Sequence, residues 1–248
     1  MINLKDNGTT FFYFDKFNMM LERATWGNYH TGDALWRTSL ACYASNGMEE
    51  IVKAIEGCVV MINGKYRFLR HQTNKRDTCS RDQAIMCLIA LKRFGDSSYY
   101  KSIVKNLDFR ISKKFVWQDS YLWAKECYLL WRILSCYHFI GWFLEPSYSI
   151  HLFCWMVWSS NKKMKLTKWY LLKFIVSKEN YLLRALLRDA FNDQETIAIS
   201  ELKPNIDFRW QRATPWKEGR ELTEEEAAYN TLDIDVLNRI IELNKTAK

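Results

Sequence analysis

The sequence predicts a mainly all-α chain built from antiparallel helix hairpins, and three observations carry that prediction. Only three prolines and nine glycines occur in 248 residues, too few for a turn-rich β architecture. Apolar residues recur at helical spacing through most of the chain before Asp193. Polar helix openings alternate with short connections, which return each helix against the one before it. The character changes at Asp193, giving a helical-hairpin domain over 1–192 and an extension over 193–248 with an ordered loop and two short helices.

The elements follow in order. Before Thr25, the residues Phe11, Phe12, Phe14, Phe17, Met19, Met20 and Leu21 predict a short lead-in helix that covers a core. The first full helix opens with Thr31 as N-cap and runs to Ser45. Leu35, Leu40, Ala41 and Ala44 give its apolar spacing, and Asn46-Gly47 stops it. Met48–Cys58 predicts a returning helix with Ile51, Val52, Ala54 and Ile55 inward. Asn63-Gly64 makes a tight turn between Val59–Ile62 and Tyr66–Leu69, so a short β-hairpin near 59–69 is the most strand structure expected. A basic loop leads to Ser80, which caps a third helix with Gln83 completing a capping box, and that helix ends near Phe94 at Gly95.

Asp96 or Ser97 opens a fourth helix through Leu107. A fifth begins near Gln118-Asp119, with Trp123, Cys127, Leu130, Trp131, Leu134 and Phe139 as its stripe. Glu145-Pro146 breaks the chain. Ser149–Trp158 and Leu166–Ala190 read as further helices. In the extension, Asp207–Gly219 is a loop rich in arginine and tryptophan. Thr223 with Glu226 caps one short helix, and Asp233 opens the last, with Val236, Leu237, Ile240, Ile241 and Leu243 inward.

Composition narrows the partners. A net charge of +8 and 15% aromatics suit a polysaccharide or other anionic polymer, or self-association and protein partners that cover the apolar surface. Arg67, Arg70, His71, Lys75, Arg76 and Arg81 crowd one loop, yet no nucleic-acid module has its spacing here, which excludes specific base readout. No phosphate-cradling glycine loop, dinucleotide fingerprint or nucleophile elbow is present, so kinase, nucleotidase and α/β-hydrolase chemistry are excluded and no cofactor is expected. The seven cysteines are scattered without ligand spacing, so they read as reduced thiols, with no metal site and a cytosolic setting or assembly there into a larger particle. Cys127–Leu144 is the longest apolar run, but Arg132 near its centre would cost about 2.5–3.5 kcal/mol in a bilayer. A buried hairpin explains it better than a transmembrane span.

The candidate chemistry sits where helices begin. Asp33 and Asp82 lie in first turns, with Arg37 four residues beyond one and Arg81 beside the other. Two carboxylates flanking a sugar bond divide the work of acid and base, one protonating the leaving oxygen and the other activating water. Asp119 opens a third helix in the same way. His71 suits acid–base work or anion binding near neutral pH, and Trp36 suits stacking. An acid in a first turn is explained more simply by capping or by the helix dipole, worth about 0.3–1 kcal/mol.

The openings Thr31-Gly32-Asp33-Ala34-Leu35-Trp36-Arg37 and Ser80-Arg81-Asp82-Gln83 resemble the inner-helix starts of the α/α-toroid, six-hairpin glycosidase-like proteins over residues 25–190. The resemblance implies a partial α/α toroid that acts on or binds a polysaccharide. It implies Asp33 and Asp82 as acid and base, with Arg37, His71 and Arg81 lining the cleft; Trp36, Arg70, Gln83 and Asp119 join them as candidate substrate-binding residues. The chain departs from that pattern in length, with room for about four hairpins where a closed ring takes six. The other reading, from a different class, is a noncatalytic structural or assembly component, for example of a phage particle.

Overall fold

The computed structural model describes residues 12–23, 29–74, 79, 81–108, 146–160, 165–171, 186–187, 189–191, 232, 235–236, 238–240 and 242. Helices dominate these residues, as expected. The expected fifth helix with Asp119, the run Cys127–Leu144 and the loop Asp207–Gly219 lie outside them, as does the Thr223–Glu226 cap.

The lead-in is not a helix. Phe12–Phe14 (β1), Met20–Arg23 (β2) and Tyr29–His30 (β3) form an antiparallel three-stranded sheet in sequential order, with Tyr13 opposite Leu21 and Glu22 opposite His30. The strand content therefore exceeds the single hairpin expected. The cause is local: Asp15 Oδ1 accepts from the backbone N–H of Phe17 and of Met19, each at 2.9 Å, and Asn18 takes φ 55°. An aspartate that bonds its own following backbone makes a turn and competes with helix.

Ala34–Ala44 (α1) begins at Asp33, not at Thr31, and all eleven of its residues are buried. A helix covered on every side has no polar stripe to display. Its polar members are satisfied in place: Thr38 Oγ1 donates to Ala34 O at 2.6 Å and accepts from Met20 N at 2.9 Å, while Ser39 Oγ donates to Leu35 O at 2.7 Å. The first of these networks docks β2 on α1. Asn46 and Gly47, at φ 56° and 75°, end the helix as the sequence predicts.

Glu49–Glu56 (α2) packs on α1 with Ile51, Val52, Ala54 and Ile55 buried, the four residues expected. Val59–Ile62 (β4) and Lys65–Phe68 (β5) pair through Asn63-Gly64, both at positive φ, in the register Ile62–Lys65 to Val59–Phe68. Arg81–Phe94 (α3) packs against α1 and is buried continuously from Gln83 to Leu91. Ser97–Lys105 (α4) is capped by Asp96, whose carboxylate accepts from Tyr99 N at 2.7 Å.

Pro146–Ser160 (α5) starts at the proline itself, earlier than Ser149, because proline has no N–H to lose in a first turn. It packs on α3 and α4, where Trp155 Nε1 donates to Tyr100 Oη at 3.0 Å. Lys165–Tyr170 (α6) packs on α5. Leu232, Val236 and Ile240 of the extension join the same hydrophobic core. Among the described residues, no helix is long and apolar enough to cross a membrane.

Candidate functional site

α1 and α3 begin at the same end of the molecule. Gln83, in the first turn of α3, donates its Nε2 to Gly32 O at 3.0 Å and to Asp33 Oδ1 at 3.1 Å, at the mouth of α1. Arg70 Nη1 donates to the same Gly32 carbonyl at 2.9 Å. The two helices also finish together, since Tyr43 near the end of α1 and Arg93 near the end of α3 both reach Asp189. The pair therefore runs parallel, and its N-terminal ends share one cluster of polar groups.

Within that cluster, Asp33 is half-buried and makes no side-chain cap bond to its own helix. Its carboxylate is turned toward Gln83 instead. Arg81 and Asp82 stand on the first turn of α3, but their side chains lie outside the described residues, as does Asp119. Trp36 is fully buried, with its ring in the core rather than at a cleft wall. Arg37 is buried as well, its guanidinium carbon 5.9 Å from the centre of the Phe12 ring. Burial of this arginine against an aromatic face brings β1 onto α1 and leaves the guanidinium little access to a ligand.

His71 is 2% exposed, and both ring nitrogens are engaged. Nε2 lies 2.8 Å from Asp15 Oδ2, and Nδ1 lies 2.7 Å from Thr73 Oγ1 and 3.1 Å from Thr73 N. A backbone N–H only donates, so Nδ1 is the acceptor and Nε2–H donates to Asp15. Phe17 meets the imidazole edge-on with the ring centres 5.7 Å apart. The histidine thereby pins the β1–β2 turn to the loop that follows β5. Its partner Asp15, fifty-six positions away, carried a turn signal in Asp15-Lys16-Phe17-Asn18 but nothing that pointed to His71.

A second polar cluster, at the far end of the α1–α3 pair, was not foreseen. Tyr43 Oη donates to Asp189 Oδ2 at 3.1 Å, Arg93 Nε stands 3.9 Å from the same oxygen, and Lys92 Nζ donates to Ala190 O. Burial pushes the Asp189 carboxyl up, with Arg93 and the Tyr43 hydrogen bond pulling it partly back. Burial also pushes the Tyr43 hydroxyl up, and Asp189 adds to that.

Cys42 and Cys58 offer no ready nucleophile. Cys42, Cys58, Cys79, Cys87 and Cys154 are buried and outside any disulfide, and burial pushes the Cys42 and Cys58 thiols up to about 12. A thiol held protonated is a poor nucleophile and a poor metal ligand. Among the described residues, no three histidine, cysteine or acidic side chains are arranged to hold a metal ion.

Taken chemically, the cluster at the helix starts presents one partly exposed carboxylate beside an amide and a guanidinium that share a carbonyl. No protein-family model, curated protein or solved structure matches this chain.

Proposed function

We propose that the chain is a noncatalytic assembly component, which buries part of its apolar surface against partner subunits. One observation carries the reading: the described polar side chains at the shared helix starts bond to groups of the chain itself. Asp33 takes Gln83, Arg70 and Gln83 share Gly32 O, and His71 takes Asp15 and Thr73. A binding cleft keeps convergent polar groups for its ligand. These instead brace three segments of the fold. Exposed apolar side chains add support, with Tyr13 at 52%, Met61 at 57%, Phe153 at 41% and Leu166 at 70% of full exposure. Light scattering on the full chain tests this, and the expected result is a particle heavier than the 29.7 kDa of one copy. A strictly monomeric protein at every concentration would overturn it.

A second reading keeps the carbohydrate function. It is favoured by the meeting of the α1 and α3 starts, where Asp33 retains some exposure. In that reading Asp33 and Asp82 cleave or hold a sugar chain between them. Titration with neutral and acidic polysaccharides tests it. Binding that Asp33→Asn abolishes without loss of stability supports it, and no heat or mass change with any glycan removes it.

A further inference from the structure

The outer edge of β4 is an open hydrogen-bonding template. In the β4–β5 hairpin a two-residue turn follows Ile62, and Leu69 N donates to Cys58 O at 2.8 Å. Cys58, Val60 and Ile62 therefore turn their backbone groups toward β5, and alternation turns those of Val59 and Met61 outward. The opposite edge of the hairpin is already used: Tyr66 N donates to Asn106 O and Asp108 N donates to Tyr66 O, each at 2.8 Å. Among the described residues the sheet stops on the β4 side, and the outward groups of Val59 and Met61 carry no hydrogen-bond partner there.

Proteins ordinarily guard such an edge with lysine, proline, a bulge or a covering segment. β4 reads Val-Val-Met-Ile, with no charge and no proline, and Met61 and Ile62 are 57% and 38% exposed. We infer that this edge is a self-association seam, occupied by β4 of a second copy running antiparallel. The inference rests on the assembly reading and names its partner.

Two features select a second copy. The first is self-complementarity. A two-fold axis through Val60 sets Val59 of one copy opposite Met61 of the other, so every outward N–H finds an outward C=O. Val59 and Met61 point to the same face of the sheet, so each exposed Met61 comes to lie beside the other copy's Val59. The second is charge. A chain of net charge +8 repels its own copy, but the seam itself is neutral. The nearest cations on the strands, Lys65 and Arg67, stand on β5. Across the joined sheet the two β5 strands are three strand spacings apart, about 14 Å. That exceeds the screening length of about 10 Å in 0.1 M salt.

The test uses the full chain at a series of concentrations, with light scattering for mass and amide exchange at Met61. Met61→Pro deletes the outward N–H and leaves the β4–β5 bonds untouched, because proline is tolerated on an edge strand when its nitrogen faces solvent. Met61→Lys puts a charge at the seam and guards against the chance that the proline variant fails to fold. The expected result is a concentration-dependent dimer whose dissociation constant rises at least tenfold in both variants, with the melting temperature unchanged at dilutions where all three proteins are monomeric. Met61 amide exchange should slow with protein concentration. A parent oligomer that both variants leave intact would overturn the seam and spare the assembly reading. A parent that stays monomeric would overturn both, and polydisperse aggregation in place of a dimer would overturn the seam.

Discussion

The two ends of the parallel α1–α3 pair solve the same problem with opposite chemistry. At the starting end, Gln83 and Arg70 donate to a backbone carbonyl, and the Asp33 carboxylate keeps partial contact with water. At the finishing end, Asp189 is 5% exposed and carries the junction itself, with Tyr43 donating and Arg93 at 3.9 Å. A neutral carbonyl brace costs little to desolvate, whereas a buried carboxylate costs far more unless it is neutralised or well paired. The raised carboxyl of Asp189 is the sign of that cost. The starting end is thus the more tolerant of change, and the finishing end the more dependent on one residue.

The largest effect should come from Asp189→Ala. It leaves the buried Tyr43 hydroxyl without its acceptor and Arg93 without its anion, at a cost of about 1–3 kcal/mol in urea unfolding near pH 7. Asp189→Asn keeps an acceptor and removes the desolvated charge, so it should cost less than Asp189→Ala.

A pH titration sharpens the contrast. The folded Asp189 carboxyl holds its proton more tightly than an unfolded one, whose ordinary value is about 3.9. Its contribution to stability is therefore complete below that value and is lost as pH rises through the raised folded value. Asp189→Asn should remove this slope, and a variant whose stability follows the parent's pH curve would contradict the burial account.

At the starting end, Gln83→Ala should cost about 1 kcal/mol, because Arg70 still satisfies Gly32 O. Asp33→Asn should be smallest, within about 0.5 kcal/mol, since asparagine retains an acceptor for Gln83 and is an equally good residue at a helix start. Thermal unfolding of the two variants side by side gives the order.

The parts of the fold legible in the sequence are those set by neighbours along the chain. The inward face of α2, the Asn63-Gly64 hairpin and the Asn46-Gly47 stop all follow from spacing and turn chemistry within a few residues. Full burial of α1 was not legible. Four apolar positions announced a stripe, but what covers Thr38, Ser39 and Arg37 comes from β1, β2 and α1's own carbonyls. The first sheet was readable in part, through the Asp15 turn and the aromatic run Phe12–Phe14, and helical spacing of the phenylalanines obscured it.

For the site, the sequence placed the start of α3 correctly and that of α1 two residues early, and it gave neither start its bonds. Gln83 reaching Asp33 across fifty positions and Asp189 reaching Tyr43 across 146 are products of packing, which residue order does not encode locally. The same limit applies to Trp36. Its chemistry suits stacking, and its place in the core is decided by what surrounds it.

The most direct test of the central claim, that the polar groups at the shared helix starts serve one another, is a double-mutant cycle on Asp33 and Gln83. Asp33→Ala, Gln83→Ala and the double variant should show a coupling of about 0.5–1 kcal/mol in unfolding free energy. Additive costs with no coupling would mean that the two side chains do not meet, and the brace at the head of α1 and α3 would be refuted.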